Sequence, residues 1–162
     1  MSADKLTHVT DDGRARMVDI SDKAVTRRSA TARGRVTCGI DTVRLIAGGG
    51  IAKGSVLDTA RIAGIMAAKR TSELIPLCHP LSLRHVDVDL RLDDSVSPGI
   101  VIEATARVEG ATGVEMEALT AVAVAGLTVI DMIKAVDRWA AITEVALVRK
   151  EGGKSGTVER PD

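Results

Sequence analysis

The sequence predicts an α+β fold of the ferredoxin-like type, a four-stranded antiparallel sheet with helices packed on one face. The predicted elements follow the order strand, helix, helix, strand, strand, helix, strand. Two strictly alternating segments joined by turn residues indicate an antiparallel hairpin. Two long apolar helical patterns flank that hairpin, and a sheet with one covered face buries both of them.

Length and composition predict one domain. The 162 residues are 45% apolar, which is enough for a core without disulfides. Trp139 is the sole aromatic residue, and acidic and basic residues balance at 22 each, so neither a base-stacking platform nor a general field for nucleic acid or membrane is expected. Cys38 and Cys78 form no disulfide framework pattern. With no signal-peptide pattern and no apolar run of membrane length, a reducing, cytoplasmic location is predicted.

The N-terminal part of the chain is predicted to be irregular. Segment 1–32 mixes short apolar residues with charges and turn residues, which indicates an extended arm able to complete a neighbour's site. Alternation over 33–40 predicts a strand. Asp41 is predicted to cap a short helix that ends at the glycines 48–50.

The chain is organised around residues 53–81, a helical pattern with a lysine at one end and a Cys-His-Pro turn at the other. Ser55 and Asp58 form a capping box, so the helix is predicted to start there. Proline on both sides makes the turn at His79 stiff, so Lys53 and His79 are predicted at opposite ends of one rigid element. Apolar spacing predicts a stripe that faces the core: Ile62, Ala63, Ile65, Met66 and Ala67.

The second half of the chain supplies the hairpin, a helix and a last strand. Segments 84–92 and 100–108 alternate between apolar and polar residues. Segment 114–136 is the second long helical pattern. Segment 140–148 predicts a strand, and 151–162 is predicted to be a flexible, solvated tail.

Carboxylates lie at both ends of this second helix. Glu115 and Glu117 open it, and a role limited to complementing the helix dipole accounts for them equally well. Asp131 and Lys134 share one face. Glu117 and Asp131 lie about 21 Å apart along the axis, so one small ligand cannot reach both in one chain. The small residues between them permit a close approach, and we hypothesise an antiparallel two-fold partner that brings Glu117 of one chain to the Asp131 region of the other.

Cations near glycines are possible ligands for a polyanion, because glycine lets backbone amides approach phosphate and lysine supplies a point charge. They are Arg28, Lys53, Lys134, Lys150 and Lys154. The alternative is that they are solvated surface side chains. Neither glycine cluster has the order of a P-loop, and Cys78 with His79 offers no four-ligand zinc set, so no metal is expected. His79 taken alone is equally consistent with a structural histidine.

Six segments together resemble the molybdenum cofactor biosynthesis protein C family, the cyclic pyranopterin monophosphate synthases. They run in order from about Leu6 to Gly156, and LIPLCHP with GVEMEALTAV is the most specific part. The segments are LTHV, MVDIS with Thr26 and Arg28 after it, KGSVLDTARIAGIMAAKRTSELIPLCHPL, TGVEMEALTAV, LTVIDMIKAVDR and GGKSG.

The resemblance implies a lyase that needs no cofactor. Members of the family convert a cyclised dihydro-GTP to cyclic pyranopterin monophosphate and release pyrophosphate. The resemblance also implies a ferredoxin-like fold and a homohexamer, a trimer of dimers with sites between subunits. This assembly agrees with the two-fold partner inferred from the second helix.

The same resemblance assigns roles to residues. Asp131 resembles the catalytic carboxylate, and Lys53 and Lys134 resemble the catalytic lysines. Matches to the substrate-binding segments are Leu77, Cys78, His79, Met116 and Glu117. Supporting residues by the same likeness are Arg28, Glu115, Lys150 and Lys154.

These residue types suit the implied chemistry. Ring rearrangement moves protons, and closure of a cyclic phosphate needs cations to stabilise the departing pyrophosphate. We therefore expect Asp131 to accept a proton and Lys53 or Lys134 to donate one. His79 and Glu117 are expected to orient the guanine-derived portion.

The chain departs from the family pattern at Ala111, Ile130, Ile133 and Glu151. Ala111 and Glu151 leave less positive charge, which raises the question of weaker phosphate binding and lower activity. The rival hypothesis is a non-catalytic ferredoxin-like module that binds a nucleotide between subunits. Release of pyrophosphate from the substrate separates the two hypotheses.

Overall fold

The computed structural model describes residues 12–161, so the LTHV segment lies outside the described residues. The described strands form a five-stranded antiparallel sheet in the order β2-β3-β1-β4-β5. The helices and strands are β1 (Thr26–Thr37), α1 (Ile40–Ala47), α2 (Val56–Ala68), α3 (Thr71–Leu74), β2 (His85–Asp93), β3 (Gly99–Gly110), α4 (Glu115–Ile133), β4 (Ala141–Glu151) and β5 (Val158–Glu159).

The β2–β3 pair is the predicted hairpin. Its alternation is confirmed, because Val88 and Leu90 are buried beneath the helices while Asp87 and Asp89 are exposed on the other face. The α+β class with helices on one face is confirmed as well. The sheet has five strands rather than four, because the tail returns as β5 and pairs with β4.

β1 starts earlier than predicted and occupies the centre of the sheet. Residues 26–32, assigned to the arm from sequence, belong to this strand, whose Ala30 and Ala32 are fully buried. Arginine and hydroxyl side chains alternate with these small residues on the outward face. Hydrophobicity therefore alternates only weakly along residues 26–32, which is why the strand was predicted at 33–40.

α4 packs across β1, β3 and β4, and α2 packs against α4 and β2. By length and composition alone α4 could cross a membrane, contrary to the expectation that no such run exists. Its apolar character has a local cause, since Val122, Ala125 and Val129 are fully buried in the core of the fold.

The small residues of α4 serve packing inside this chain. A Cβ at Gly64 of α2 would lie 3.0 Å from the carbonyl oxygen of Ala121 and 3.3 Å from the Cβ of Ala125. A Cβ at Gly126 would lie 3.1 Å from the side chain of Ile142 in β4. α2 and the sheet account for the small residues of α4 within one chain, and the antiparallel two-fold partner stays a prediction.

α2 begins as predicted. Ser55 is its N-cap and accepts a hydrogen bond from the Asp58 amide at 3.4 Å, while its hydroxyl donates to the Asp58 carboxylate at 2.7 Å. The helix ends at Ala68, where the hydroxyl of buried Thr71 donates to the Ala68 carbonyl at 3.1 Å. The chain then turns into α3, so Lys53 and His79 do not share one rigid element.

The buried face of α2 differs from the predicted stripe. Ile62 and Met66 are 59% and 48% exposed, whereas Ala60 and Gly64 face the core. The reason is the close contact with α4, which leaves room for small residues only.

Gly64→Val tests this contact. The added methyl groups must displace the backbone of α4, so we expect the free energy of unfolding to fall by about 1–3 kcal/mol. Urea unfolding followed by circular dichroism measures it. Met66→Val introduces the same residue at an exposed position of the same helix and is expected to change stability by less than about 0.5 kcal/mol. Equal effects would contradict tight packing at Gly64.

Candidate functional site

A lysine–carboxylate cluster lies where the C-terminal end of α4 meets the turn before α2. The Lys53 ammonium group lies 2.9 Å from Oδ2 of Asp131 and donates to the Asp131 main-chain carbonyl at 2.7 Å. The Lys134 ammonium group lies 2.7 Å from Oδ1 of Asp131. Each carboxylate oxygen thus binds one lysine. The three side chains are about half exposed, so a ligand from solvent can reach them.

The two lysines set the charge of this cluster. Hydrogen bonds and charge from Lys134, and then from Lys53, lower the pKa of Asp131 to about 2. Asp131 is therefore ionised at neutral pH. A carboxylate this acidic accepts a proton poorly while both lysines stay bound to it.

A cavity of about 250 Å³ lies at the opposite, N-terminal end of α4. The Cys-His-Pro turn forms one wall and the first turn of α4 forms another. Six of the residues predicted to bind substrate line it: Leu77, Cys78, His79, Glu115, Met116 and Glu117.

Two carboxyl groups of this cavity have different surroundings. Glu117 is 4% exposed, and burial, with a further contribution from Glu115, raises its pKa. Glu115 lies 3.3 Å from the ammonium group of Lys150, which crosses from β4. Burial and then the Glu117 charge raise the pKa of the Cys78 thiol. The cavity is thus a poor place for added negative charge near Glu117.

Arg28 and the glycine-rich tail lie beside this cavity. The Arg28 guanidinium donates to the carbonyls of Gly110 at 3.0 Å and Ala111 at 3.2 Å. Gly153 has a φ of +70°, a conformation that favours glycine, and the tail passes beside the Arg28 guanidinium there. Lys154 follows and is exposed.

The structure also locates two departures from the family pattern. Glu151 pairs with Arg149, away from the Lys150–Glu115 pair. Ala111 takes part through its backbone carbonyl, which any residue would supply. Neither side chain contacts the Lys53–Asp131–Lys134 cluster.

The two clusters stand at opposite ends of α4. Glu117 and Asp131 are separated along the axis by about 21 Å, as the sequence indicated. Each cluster holds part of the predicted site. A single chain therefore does not bring the predicted catalytic residues and the predicted substrate-binding residues together.

Sequence reasoning missed Asp137. Its Oδ2 accepts hydrogen bonds from the Gly39 amide at 2.8 Å and the Thr42 hydroxyl at 3.2 Å, which ties the end of α4 to the start of α1. These contacts, led by the Gly39 amide, lower the pKa of Asp137. Gly39 rather than Asp41 is the N-cap of α1, so the predicted cap at Asp41 was wrong.

Residues of the arm were also missed. Val18, Ile20 and Lys23 line the cavity beside the Cys-His-Pro turn of the same chain. The MVDIS segment, part of the family resemblance, was the sequence feature that pointed to a role for these residues in the site. Its residues had been expected in an arm that completes a neighbour's site.

Another cavity, of about 730 Å³, lies on the sheet face opposite the helices. It contains none of the predicted site residues. Two of its arginines are engaged, since Arg33 pairs with Glu103 at 2.8 Å and Arg35 with Asp93 at 2.9 Å. We do not assign the site to it.

The fold and the site define a class of protein. It is an α+β domain with a lysine–carboxylate cluster at one end of a helix and a carboxyl-lined cavity at the other. Residues 17–153 match the MoaC family model, so the chain belongs to the MoaC family.

Curated relatives match over nearly their whole length. A protein of Parvibaculum lavamentivorans is 59% identical over 96% of this chain and 97% of its own. One of Nocardioides sp. is 56% identical over 97% and 96%. One of Roseiflexus sp. is 60% identical over 93% and 95%. All three are named cyclic pyranopterin monophosphate synthase.

Burial of Glu117 predicts a pH-dependent stability. A raised pKa in the folded state stabilises the fold below the ordinary value of 4.5, and that contribution is lost as pH rises through the folded value. The melting temperature of Glu117→Gln should therefore increase relative to that of wild type as pH rises from about 4 to about 8.

Asp58→Asn is the control of opposite sign. Ser55 is the main cause of the lowered pKa of Asp58, with Arg61 adding to it, so the melting temperature of wild type should rise relative to this variant as pH rises from about 2 to about 4, and the difference should stay constant above that. Thermal unfolding of the three proteins from about pH 2 to about pH 8 measures both trends. A constant difference for Glu117→Gln would contradict the effect of burial.

Proposed function

We propose that this chain is a cyclic pyranopterin monophosphate synthase, a lyase of molybdenum cofactor biosynthesis. Its substrate is the cyclised dihydro-GTP and its second product is pyrophosphate. Family membership and the names of the relatives support this function. The observation that carries it is the cluster of Lys53, Asp131 and Lys134, where three residues distant in sequence converge on one exposed spot.

The cluster suits cyclisation with loss of pyrophosphate. In the free protein the two ammonium groups neutralise Asp131. Phosphate oxygens compete for lysine, and a lysine drawn to the polyphosphate stops holding the Asp131 pKa down. Asp131 then becomes the better proton acceptor just as substrate arrives. Lys53 and Lys134 remain alternatives for the proton donor, and either stabilises the charge on the leaving pyrophosphate.

The cavity at the other end of α4 suits the guanine-derived part. Met116 and Leu77 offer apolar surface, while Glu117 and His79 offer hydrogen-bonding groups. Two supporting cations lie near this cavity: Lys150 pairs with Glu115 in its lining, and Arg28 binds the carbonyls of Gly110 and Ala111 just before it. Lys154 lies in the exposed tail.

We further propose a homohexamer, a trimer of dimers in the cytoplasm, with each site shared between subunits. The reason is the separation of the two clusters, about 21 Å along α4. A partner's α4 running in the opposite direction would bring its Asp131 cluster to this chain's cavity, and two-fold symmetry would create two such sites. No cofactor is required in this scheme.

Asp131→Asn tests the catalytic assignment. The amide cannot accept the proton, so kcat for pyrophosphate release should fall at least about 100-fold. Asp41→Asn, which alters an exposed carboxylate paired with Arg44, is the matched control and should retain kcat. An active Asp131→Asn enzyme of normal fold would contradict the assignment. A wild-type protein that binds substrate and releases no pyrophosphate would favour the non-catalytic module instead.

Complementation tests the shared site. Asp131→Asn and His79→Ala, each of low activity, are unfolded and refolded together. Random pairing restores one intact site in each mixed dimer, which amounts to about one quarter of all sites. Co-refolded samples should therefore regain about one quarter of wild-type activity. Activity that stays at the level of the separate variants, with mixed dimers verified by mass spectrometry, would place each site within one chain.

A further inference from the structure

The segment before β1 forms one wall of the cavity at the N-terminal end of α4. Val18 and Ile20 are partly buried there, while the residues between and beside them are exposed. Lys23 also lines the cavity. We call residues 18–23 the strap. It is apolar where it meets the cavity and cationic where it ends.

Hydrogen bonds within the strap fix its shape. The amide and hydroxyl of Ser21 donate to Oδ1 of Asp19 at 2.9 and 2.7 Å. The Lys23 amide then donates to the Ile20 carbonyl at 3.0 Å, which closes a second turn. Two consecutive turns hold the backbone of Lys23 at the rim of the cavity.

Two other cations near the cavity are already engaged. Lys150 lies against Glu115 at 3.3 Å, and the Arg28 guanidinium is bound to two main-chain carbonyls. Lys154 is exposed in the tail and is not among the residues that line the cavity. Lys23 is exposed and forms no ion pair with any residue between 12 and 161. Its ammonium group is therefore available to a ligand.

We propose that Lys23 binds a phosphate group of the substrate at the rim of the cavity. This inference rests on the proposed function and adds a binding residue to it. Buried Glu117 disfavours an anion deep in the cavity, so the uncharged ring occupies the interior and the phosphate lies at the rim beside the strap. The strap thereby orients the substrate from its phosphate end.

Pyrophosphate is the probe, titrated by calorimetry into the intact wild-type protein and its variants. Lys23→Gln should weaken binding about tenfold, the loss expected for one charge-assisted contact. Lys23→Arg keeps the charge and should stay within about threefold of wild type. Lys69→Gln removes a positive charge from an exposed site at the end of α2, outside the cavity, and should bind as wild type does.

Steady-state kinetics provide the second readout. Lys23→Gln should raise KM about tenfold and leave kcat near wild type, because Lys23 acts in binding. Wild-type turnover with an unchanged KM in Lys23→Gln would overturn this inference and leave the proposed function standing. Absent turnover in wild type, together with weaker pyrophosphate binding in Lys23→Gln than in wild type, would reject the proposed function and retain the anion contact. Undetectable pyrophosphate binding to wild type, or equal losses of affinity in Lys23→Gln and Lys69→Gln, would overturn the proposed role of Lys23.

A second variant separates the charge from the strap that presents it. Val18→Ser combined with Ile20→Ser loosens the strap, which lies outside the sheet, and should weaken pyrophosphate binding as Lys23→Gln does. Adding Lys23→Gln to that variant should cause little further loss, because the lysine acts only when the strap holds it. Melting temperatures check that the fold persists. Fully additive losses would overturn the role of the strap.

Discussion

The close contact between α2 and α4 is the constraint on which both clusters depend. Gly64 lets the two helices approach until a Cβ would touch the Ala121 carbonyl. The start of α2 then lies beside the end of α4, where Lys53 meets Asp131, and the chain beyond α2 returns to the first turn of α4. The helices therefore run in opposite directions. A wider contact would move Lys53 and the Cys-His-Pro turn away from their partners together.

The helix α4 carries two carboxyl groups whose environments shift their pKa values in opposite directions. Asp131 stands in solvent between two ammonium groups, and its pKa falls to about 2. Glu117 is buried, and its pKa rises because burial penalises the charge. The helix thus presents an ionised carboxylate at one end and a carboxyl group with a raised pKa at the other. Two carboxyl groups whose pKa values differ in this way are suited to different roles in one reaction.

Several features could be predicted because their causes are local. Ser55 caps α2 through its own side chain, and the alternation around Val88 and Leu90 specifies a strand with one buried face. Other features could not, because they depend on distant residues. Asp137 binds the Gly39 amide at the start of α1 from beyond α4, and the exposure of Ile62 follows from the packing at Gly64. Residues 26–32 belong to the sheet because β3 pairs with all of them and β4 pairs with residues 29–32.

The sequence by itself determined the α+β class, the hairpin, the long helices and the motifs that place the chain in its family. Periodicity and capping express backbone and burial preferences within a few residues, so a linear reading reaches them. Only the tertiary structure decided that Lys53 and Lys134 share Asp131 and that Glu117 is buried. It also decided that the strap with Lys23 lines the cavity of its own chain. These relations depend on distances across the fold, which packing sets and residue order does not encode locally.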